Sequence, residues 1–180
     1  ILAAIHPDLP WDEDIRARLE HFDSTQPDGN GKDLRGARLS LWLEGLPDAA
    51  LARVCKRLRY PRQVETDIHQ TRALRALLPG LPALKPSELV RALEPFSEKV
   101  RRLVQASTTD AELGTVLERY EKTYQHVWPK ADGKDLLALG LKPSARFNEI
   151  LTRLRDAWLD GEVSTPDEEK GLLEGLVKEA

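Results

Sequence analysis

The 180-residue sequence contains no methionine and a single cysteine, Cys55. A lone cysteine cannot form a disulfide within the chain, so a disulfide-stabilised scaffold is excluded and a reducing cytoplasm is the expected setting. No apolar run approaches the roughly 18 residues that a membrane helix needs, and residues 1–20 lack the apolar stretch of a signal peptide, so we expect no membrane partner. The missing methionine and the abrupt opening ILAAIHPDLP predict a fragment of a longer protein.

Residue patterns that several kinds of enzyme require are also missing. The histidines are widely separated, so local spacing indicates no zinc site, and no two carboxylates follow a strand as a two-magnesium centre requires. There is neither a serine in a glycine-flanked elbow nor a glycine-rich phosphate loop. We therefore expect no catalytic residue, no metal site and no cofactor in this chain.

Apolar residues recur at helical spacing along most of the chain, which predicts an all-α protein of about ten helices. Residues 23–33, DSTQPDGNGKD, are rich in turn-forming types and predict a loop. Capping boxes are predicted at Thr109 with Glu112 and at Thr165 with Glu168, the first opening a helix that reaches His126. The helices predicted in the first half cover residues 12–22, 34–46 and 47–60, and a longer one begins at Pro61.

The stretch GKDLLALGLKPSARFNEILTRLRDAWLDGEV, residues 133–163, predicts two short helices that fold back on each other around LGLKPSARF. Gly140 is expected to end the first helix in a left-handed conformation, and Pro143 to preset the start of the second. We divide the chain into a helical body, residues 1–128, and a C-terminal tail with this helical hairpin, residues 129–180.

The net charge of −3 hides an uneven distribution. Residues 1–28 carry seven acids and two bases, and residues 160–180 carry the same numbers. Residues 49–75 carry seven bases and two acids, which predicts a local basic field in an otherwise acidic protein.

The predicted helix over residues 47–60 contains most of these bases. Arg53, Lys56 and Arg57 share one side of it, and Arg59 follows them. This side either binds phosphates or is a solvated surface that pairs with acids elsewhere, and the sequence leaves both open. The opposite, apolar side takes Leu51, Val54, Cys55 and Leu58.

A second candidate surface lies at the hairpin. Lys134, Lys142 and Arg146 stand near the turn, where free backbone N–H groups at a helix start also attract phosphate. Lys142 and Arg146 are expected to project from the turn and from the first helical turn after it. The alternative is that the hairpin only packs two helices together.

The stretch GKDLLALGLKPSARFNEILTRLRDAWLDGEVSTPDEE resembles the C-terminal signature of bacterial class II tRNA nucleotidyltransferases and their poly(A) polymerase relatives. ILAAIHPDLPW, LWLEGL, CKRLR and KPSELVRALEPF are similar to the helical body of that family, so the resemblance spans nearly the whole chain. Ser144, Ala145 and Asn148 depart from it, since the family usually has Gly-Pro and another Gly there. Ser144 is still expected to cap the second helix. The residues that fit the tail signature are Gly133, Asp135, Leu136, Leu137, Gly140, Lys142, Pro143, Ile150, Leu151, Leu159, Asp160, Gly161 and Glu169.

The resemblance implies a division of labour in the parent protein. A catalytic head, expected upstream of Ile1, would use magnesium with CTP or ATP to add CCA, A alone or a poly(A) tail to RNA 3′ ends. This helical portion would grip tRNA or another RNA through phosphates and 2′-OH groups and be inactive by itself. The residues expected to bind RNA are Arg53, Lys56, Arg57, Arg59, Lys134, Lys142 and Arg146.

Two other functions stay open from the sequence. A helical protein-interaction or oligomerisation module would use some of the four tryptophans, Trp11, Trp42, Trp128 and Trp158, at an interface, although a tryptophan at helical spacing is more often part of a core. A DNA-binding helix-hairpin-helix module fits the turn but not the remainder of the chain.

Overall fold

The computed structural model describes residues 11–25 and 31–178, which fold into ten α-helices and two 3-10 helices, Leu78–Ala83 and Tyr124–His126. These residues contain no strand, and the predicted all-α fold is confirmed. The α-helices are α1 Glu13–Thr25, α2 Gly31–Leu43, α3 Asp48–Arg57, α4 Arg62–Leu77, α5 Pro86–Leu93, α6 Glu98–Ala106, α7 Ala111–Lys122, α8 Gly133–Ala138, α9 Ala145–Leu159 and α10 Pro166–Lys178.

The predicted helix boundaries differ from the observed ones by a few residues: the helices predicted over residues 12–22, 34–46 and 47–60 are observed as Glu13–Thr25, Gly31–Leu43 and Asp48–Arg57. The predicted loop over residues 23–33 is too long, because residues 23–25 belong to α1 and residues 31–33 to α2, while the rest of it lies outside the described residues. Glycine and aspartate are tolerated in the first turn of a helix, which is where α2 places them. The helix predicted to reach His126 stops at Lys122 and continues as a separate 3-10 turn.

The chain forms two compact units. Unit 1 comprises Ile1–Pro82 and Pro95–Glu118, and unit 2 comprises Ala83–Glu94 and Arg119–Ala180. The second unit therefore includes α5, which packs against α9. The division at residue 128 into a body and a tail stays a prediction.

The core of unit 1 is built by α2, α3 and α4. Leu43, Leu51 and Ile68 are fully buried in it, and the free thiol of Cys55 is buried beside them. Leu58, expected on the same apolar side, is instead 41% exposed. Leu58 is the C-cap residue of α3, whose last helical residue is Arg57, so it lies at the edge of the buried side of the helix.

A buried carboxylate joins α1, the end of α2, and α4. Glu44 is only 8% exposed and forms ion pairs with Arg18 and with Arg75, whose Nε lies 2.7 Å from Glu44 Oε1. Burial raises the pKa of the Glu44 carboxyl against the pull of the two guanidinium groups, and it lowers the pKa of Arg75. Removing one partner would leave a buried charge uncompensated, so the three residues act as one structural cluster.

The core of unit 2 lies between α8, α9 and α10. Leu136, Ile150, Leu154 and Leu173 are buried in it. Glu169 of α10, only 2% exposed, accepts hydrogen bonds from the backbone N–H groups of residues 130 and 131, at 3.0 and 2.8 Å, and from the Trp158 indole, at 2.7 Å. This carboxylate therefore fixes the segment that leads into α8.

The turn between α8 and α9 has the geometry that the sequence predicts. Gly140 has φ +86°, and its N–H donates to the Leu137 carbonyl at 2.9 Å, while the Leu141 N–H donates to the Leu136 carbonyl at 3.1 Å. These two bonds form a Schellman motif, and Leu136 and Leu141 pack together in the core of unit 2. The prediction for Gly140 is confirmed.

Side-chain caps confirm one of the two predicted capping boxes. Glu168 accepts from the N–H groups of Ser164 and Thr165, at 2.7 and 3.0 Å, and these bonds lower the pKa of its carboxyl. The box predicted at Thr109 is wrong. Asp110 opens α7 instead, because its carboxylate accepts from the N–H groups of residues 112 and 113, at 2.8 and 3.2 Å.

We predict opposite effects of alanine at two unobstructed glycines, Gly140 and Gly114. A Cβ at either position would meet nothing within 4 Å, so only the backbone decides. Gly140→Ala should lower the free energy of unfolding by about 1 kcal/mol, because φ is positive there. Gly114→Ala, inside α7, should raise it by about 0.5–1 kcal/mol. Urea unfolding measures both, and a neutral Gly140→Ala would contradict the strained-turn account.

Candidate nucleic-acid interface

The exposed side of α3 presents the basic residues as the sequence predicts. Residues 50, 51, 54 and 55 face the core, and Arg53, Lys56 and Arg57 are exposed on the other side. Within residues 11–25 and 31–178, neither Arg53 nor Lys56 has a hydrogen-bond or ion-pair partner. Lys56 and Arg57 also lie in the last helical turn, where positive charge stabilises the helix dipole. The surface is therefore available to an anionic ligand but also has a structural use.

Arg59 ends α3 in a conformation that normally belongs to glycine. Its φ is +55°, its N–H donates to the Lys56 carbonyl at 3.2 Å, and the Tyr60 N–H donates to the Cys55 carbonyl at 2.9 Å. This is again a Schellman motif, with an arginine at the left-handed position. That position costs a side chain about 1 kcal/mol relative to glycine, and the Arg59 side chain is exposed there.

Two arginines of the same basic segment serve the fold instead. Arg72 donates from Nε to the Glu44 carbonyl at 2.7 Å and from Nη1 to Asp48 at 2.6 Å, and Nη2 donates to the Leu46 carbonyl. It thus binds the end of α2, while Arg75 is paired with Glu44. The positive field of residues 49–75 is accordingly weaker than the formal charge of these residues implies, because two of the arginines are paired with nearby acids.

The three basic residues near the hairpin belong to α8, α9 and the turn between them. Lys134, in the first turn of α8, and Lys142, in the turn, are exposed. The Arg146 side chain, in the first turn of α9, is 41% exposed and forms an ion pair with Glu149 at 3.0 Å. A Cβ on Gly133 would lie 3.9 Å from Phe147, which places the starts of α8 and α9 side by side.

The start of α9 differs from the expectation for Ser144. Ser144 occupies the N-cap position, but its hydroxyl makes no capping hydrogen bond. The Phe147 N–H instead donates to the Ser144 backbone carbonyl at 3.1 Å. The predicted side-chain cap is wrong, and the first N–H groups of α9 have no side-chain acceptor from Ser144.

Several residues of the predicted tail signature have structural roles. Asp135 accepts from the Asp132 N–H at 2.8 Å as part of the cap of α8. Asp160 accepts from the N–H and the hydroxyl of Ser87, at 2.9 and 2.7 Å, and so caps α5, while Gly161 has φ +74°. Asp135 and Asp160 thus cap the starts of helices, and Gly161 follows the end of α9.

One pair of residues was missed by reasoning from the sequence. Trp128, considered there only as one of four candidate interface or core tryptophans, is 60% exposed and lies over the Arg155 guanidinium, 3.9 Å from the ring centroid. Trp128 lies immediately before Pro129 and after the end of a predicted helix. This position was the available signal that its side chain need not be buried, because a residue beyond a helix end does not follow the helical core pattern.

Metal and membrane sites are absent from the part of the chain that the structure describes. No group of three or more His, Cys, Asp or Glu residues in it could hold a metal ion. None of its helices is both long and apolar enough to span a bilayer.

Comparison with known proteins places the fold. No family model and no curated protein matches the chain. It has the fold of part of a CCA-adding enzyme. The structure of the Thermotoga maritima CCA-adding enzyme complexed with tRNA matches with a TM-score of 0.71 and 17% identity, over 97% of this chain and 43% of that chain. A CCA-adding enzyme in complex with CTP matches with a TM-score of 0.64 and 19% identity, over the same shares.

The chain thus spans less than half of the length of each of these structures. At such low identity the likeness establishes the fold. The resemblance seen in the sequence is confirmed at that level.

We predict that Arg59→Gly stabilises the protein and weakens any binding of RNA. Glycine adopts a positive φ without strain, so the free energy of unfolding should rise by about 0.5–1 kcal/mol. Loss of the guanidinium should lower RNA affinity at the same time. Urea unfolding and an RNA filter-binding assay measure the two effects. A fall in stability would mean that the Arg59 side chain contributes to the fold.

Proposed function

We propose that this chain is the tRNA-binding portion of a nucleotidyltransferase that adds CCA to RNA 3′ ends. The observation that carries the proposal is the fold, which matches a CCA-adding enzyme solved with tRNA over 97% of this chain. The exposed bases on α3 supply the charge that binding of an RNA backbone requires. Addition of A alone, or of a poly(A) tail, is a variant of this proposal. The remainder of the parent protein would determine which product is made.

Recognition in this proposal is by shape. Arg53, Lys56, Arg57 and Arg59 lie on α3 and at its end, and each can bind one phosphate without reading a base. An A-form RNA helix presents phosphates and 2′-OH groups across its shallow minor groove, so scattered bases suit it. The basic residues at the hairpin of unit 2 would form a second phosphate contact.

We propose that the nucleotide-adding chemistry is carried out by a catalytic head outside this chain. The described residues contain no group of three or more His, Cys, Asp or Glu that could hold a metal ion. We propose magnesium with CTP or ATP for the head, and a reducing cytoplasm as the setting in which the free, buried Cys55 persists.

A protein-interaction or oligomerisation module is the second candidate. Trp11 and Trp128 are 51% and 60% exposed, and exposed aromatic side chains are enriched at protein interfaces. Sedimentation of the chain alone over a range of concentrations tests this function directly. Self-association without RNA binding would favour it over the tRNA-binding role.

The main test replaces three bases of α3 together. The triple variant Arg53→Ala, Lys56→Ala, Arg57→Ala should weaken tRNA binding and reduce the slope of log affinity against log salt by about 0.7–0.9 for each lost phosphate contact. The measurement is tRNA affinity at several salt concentrations, with duplex DNA as a competing ligand.

A matched control removes the same charge elsewhere in unit 1. Arg16, Arg38 and Arg102 are exposed and paired with Glu13, Asp23 and Glu98, so their joint replacement by alanine also removes three positive charges. This control should leave the salt slope nearly unchanged. Equal losses in both variants would mean that net charge, rather than the α3 surface, governs binding.

We also predict that the chain alone adds no nucleotide. Incubation with tRNA lacking its CCA end, CTP, ATP and magnesium should leave the RNA length unchanged on a sequencing gel. A complete CCA-adding enzyme is the positive control. Extension by highly purified chain would place catalysis within these residues and contradict the assignment.

A further inference from the structure

Trp128 has the properties of a binding platform rather than of a core residue. It is 60% exposed, the largest exposed fraction among the large apolar residues that the structure describes. One face of its indole lies on the Arg155 guanidinium, 3.9 Å from the ring centroid. The exposed area therefore belongs to the opposite face and the ring edge. Within the described residues the indole N–H has no hydrogen-bond acceptor.

The ring is held in place without being buried. Arg155, whose side chain is 12% exposed, donates from Nε to the Val127 carbonyl at 2.9 Å and from Nη1 to Glu94 at 2.5 Å. Its Nη2 is buried without a hydrogen-bond partner, and its Cζ lies over the indole. Pro129 restricts the backbone of the residue before it. A ligand that stacks on this ring would pay little to order it.

The neighbouring charges favour a nucleotide as the ligand. Lys130, two residues on, is exposed and has no ion-pair partner in the described ranges, and the nearby acid Glu94 is engaged by Arg155. The same short segment thus carries an exposed aromatic face and, two residues on, an exposed ammonium group. A nucleotide presents the matching pair, a base with a π-face and a phosphate.

We propose that Trp128 stacks on an open base face of the bound RNA, with Arg155 as the residue that positions the ring. This inference rests on the proposed function. It adds a contact to a nucleobase at Trp128, whereas the α3 surface contacts only phosphates. Bases inside a duplex are covered on both faces, so the partner is an unpaired base or the base at the end of a stack.

The test compares ligands that differ in their bases but not in their phosphates. The probes are a short oligoadenylate, an abasic oligomer of equal length and a blunt-ended RNA duplex. Trp128→Ala should weaken oligoadenylate or duplex binding about 5- to 100-fold and leave abasic binding unchanged. A loss on the single strand assigns an unpaired base, and a loss on the duplex assigns the end of a stack. Trp128→Phe should keep part of the affinity.

Controls separate stacking from a purely structural role. Trp128→Leu keeps an apolar cover over Arg155 but cannot stack, so it should bind like Trp128→Ala and melt close to the unaltered protein. Leu137→Ala, which shortens another exposed apolar residue of unit 2, should leave the affinity for all three probes unchanged.

Unchanged affinity for the base-bearing probes in Trp128→Ala, or an equal loss on all three probes, would overturn the inference. So would a change in the sedimentation of the chain alone with RNA binding intact, because the ring would then contact protein. If phosphate binding by the α3 surface persists in these outcomes, the stacking inference alone fails. If the unaltered chain binds no probe and no tRNA, the proposed function fails with it.

Discussion

The termination of many short helices is the constraint on which this structure depends. Every α-helix leaves four N–H groups at its start and four carbonyl groups at its end without partners, and the described residues contain ten such helices. A buried unpaired group costs about 1–3 kcal/mol, so long polar side chains are recruited to these ends. Arg72 binds carbonyl groups beyond α2, Asp160 caps α5, and Glu169 binds the segment before α8. Left-handed residues close α3, α8 and α9.

This constraint determines which charges remain for a ligand. Arg72 and Arg75 are engaged by carbonyl and carboxylate groups of unit 1, whereas Arg53 and Lys56 of the same basic segment are exposed. A count of charges along the sequence therefore overstates the basic field. The chain shares its fold with CCA-adding enzymes at only 17% and 19% sequence identity. This is physically reasonable, because many different residues can maintain a helical period and a helix end.

The proposed RNA contacts are of two physical kinds. The arginine and lysine side chains on α3 act through their charge, so their binding depends on salt and not on the RNA sequence. Trp128 acts through an aromatic face whose orientation is fixed by Arg155, and stacking of this kind depends on the presence of a base rather than on ionic strength. The basic residues on α3 and at the hairpin would thus contact the RNA backbone, and Trp128 would add a contact to an open base.

Local features could be predicted from the sequence, because their partners are neighbours in the chain. The helical period, the turn at Gly140 and the cap of α10 by Glu168 all involve residues a few positions apart. The side of α3 that carries Arg53 followed from the same period. Only the tertiary structure decided the partners of long side chains, such as Arg75 with Glu44 and Arg155 with Trp128. These pairings also determine which arginine and lysine side chains stay exposed. Such pairs join residues far apart in sequence, and no local pattern encodes the distance between them.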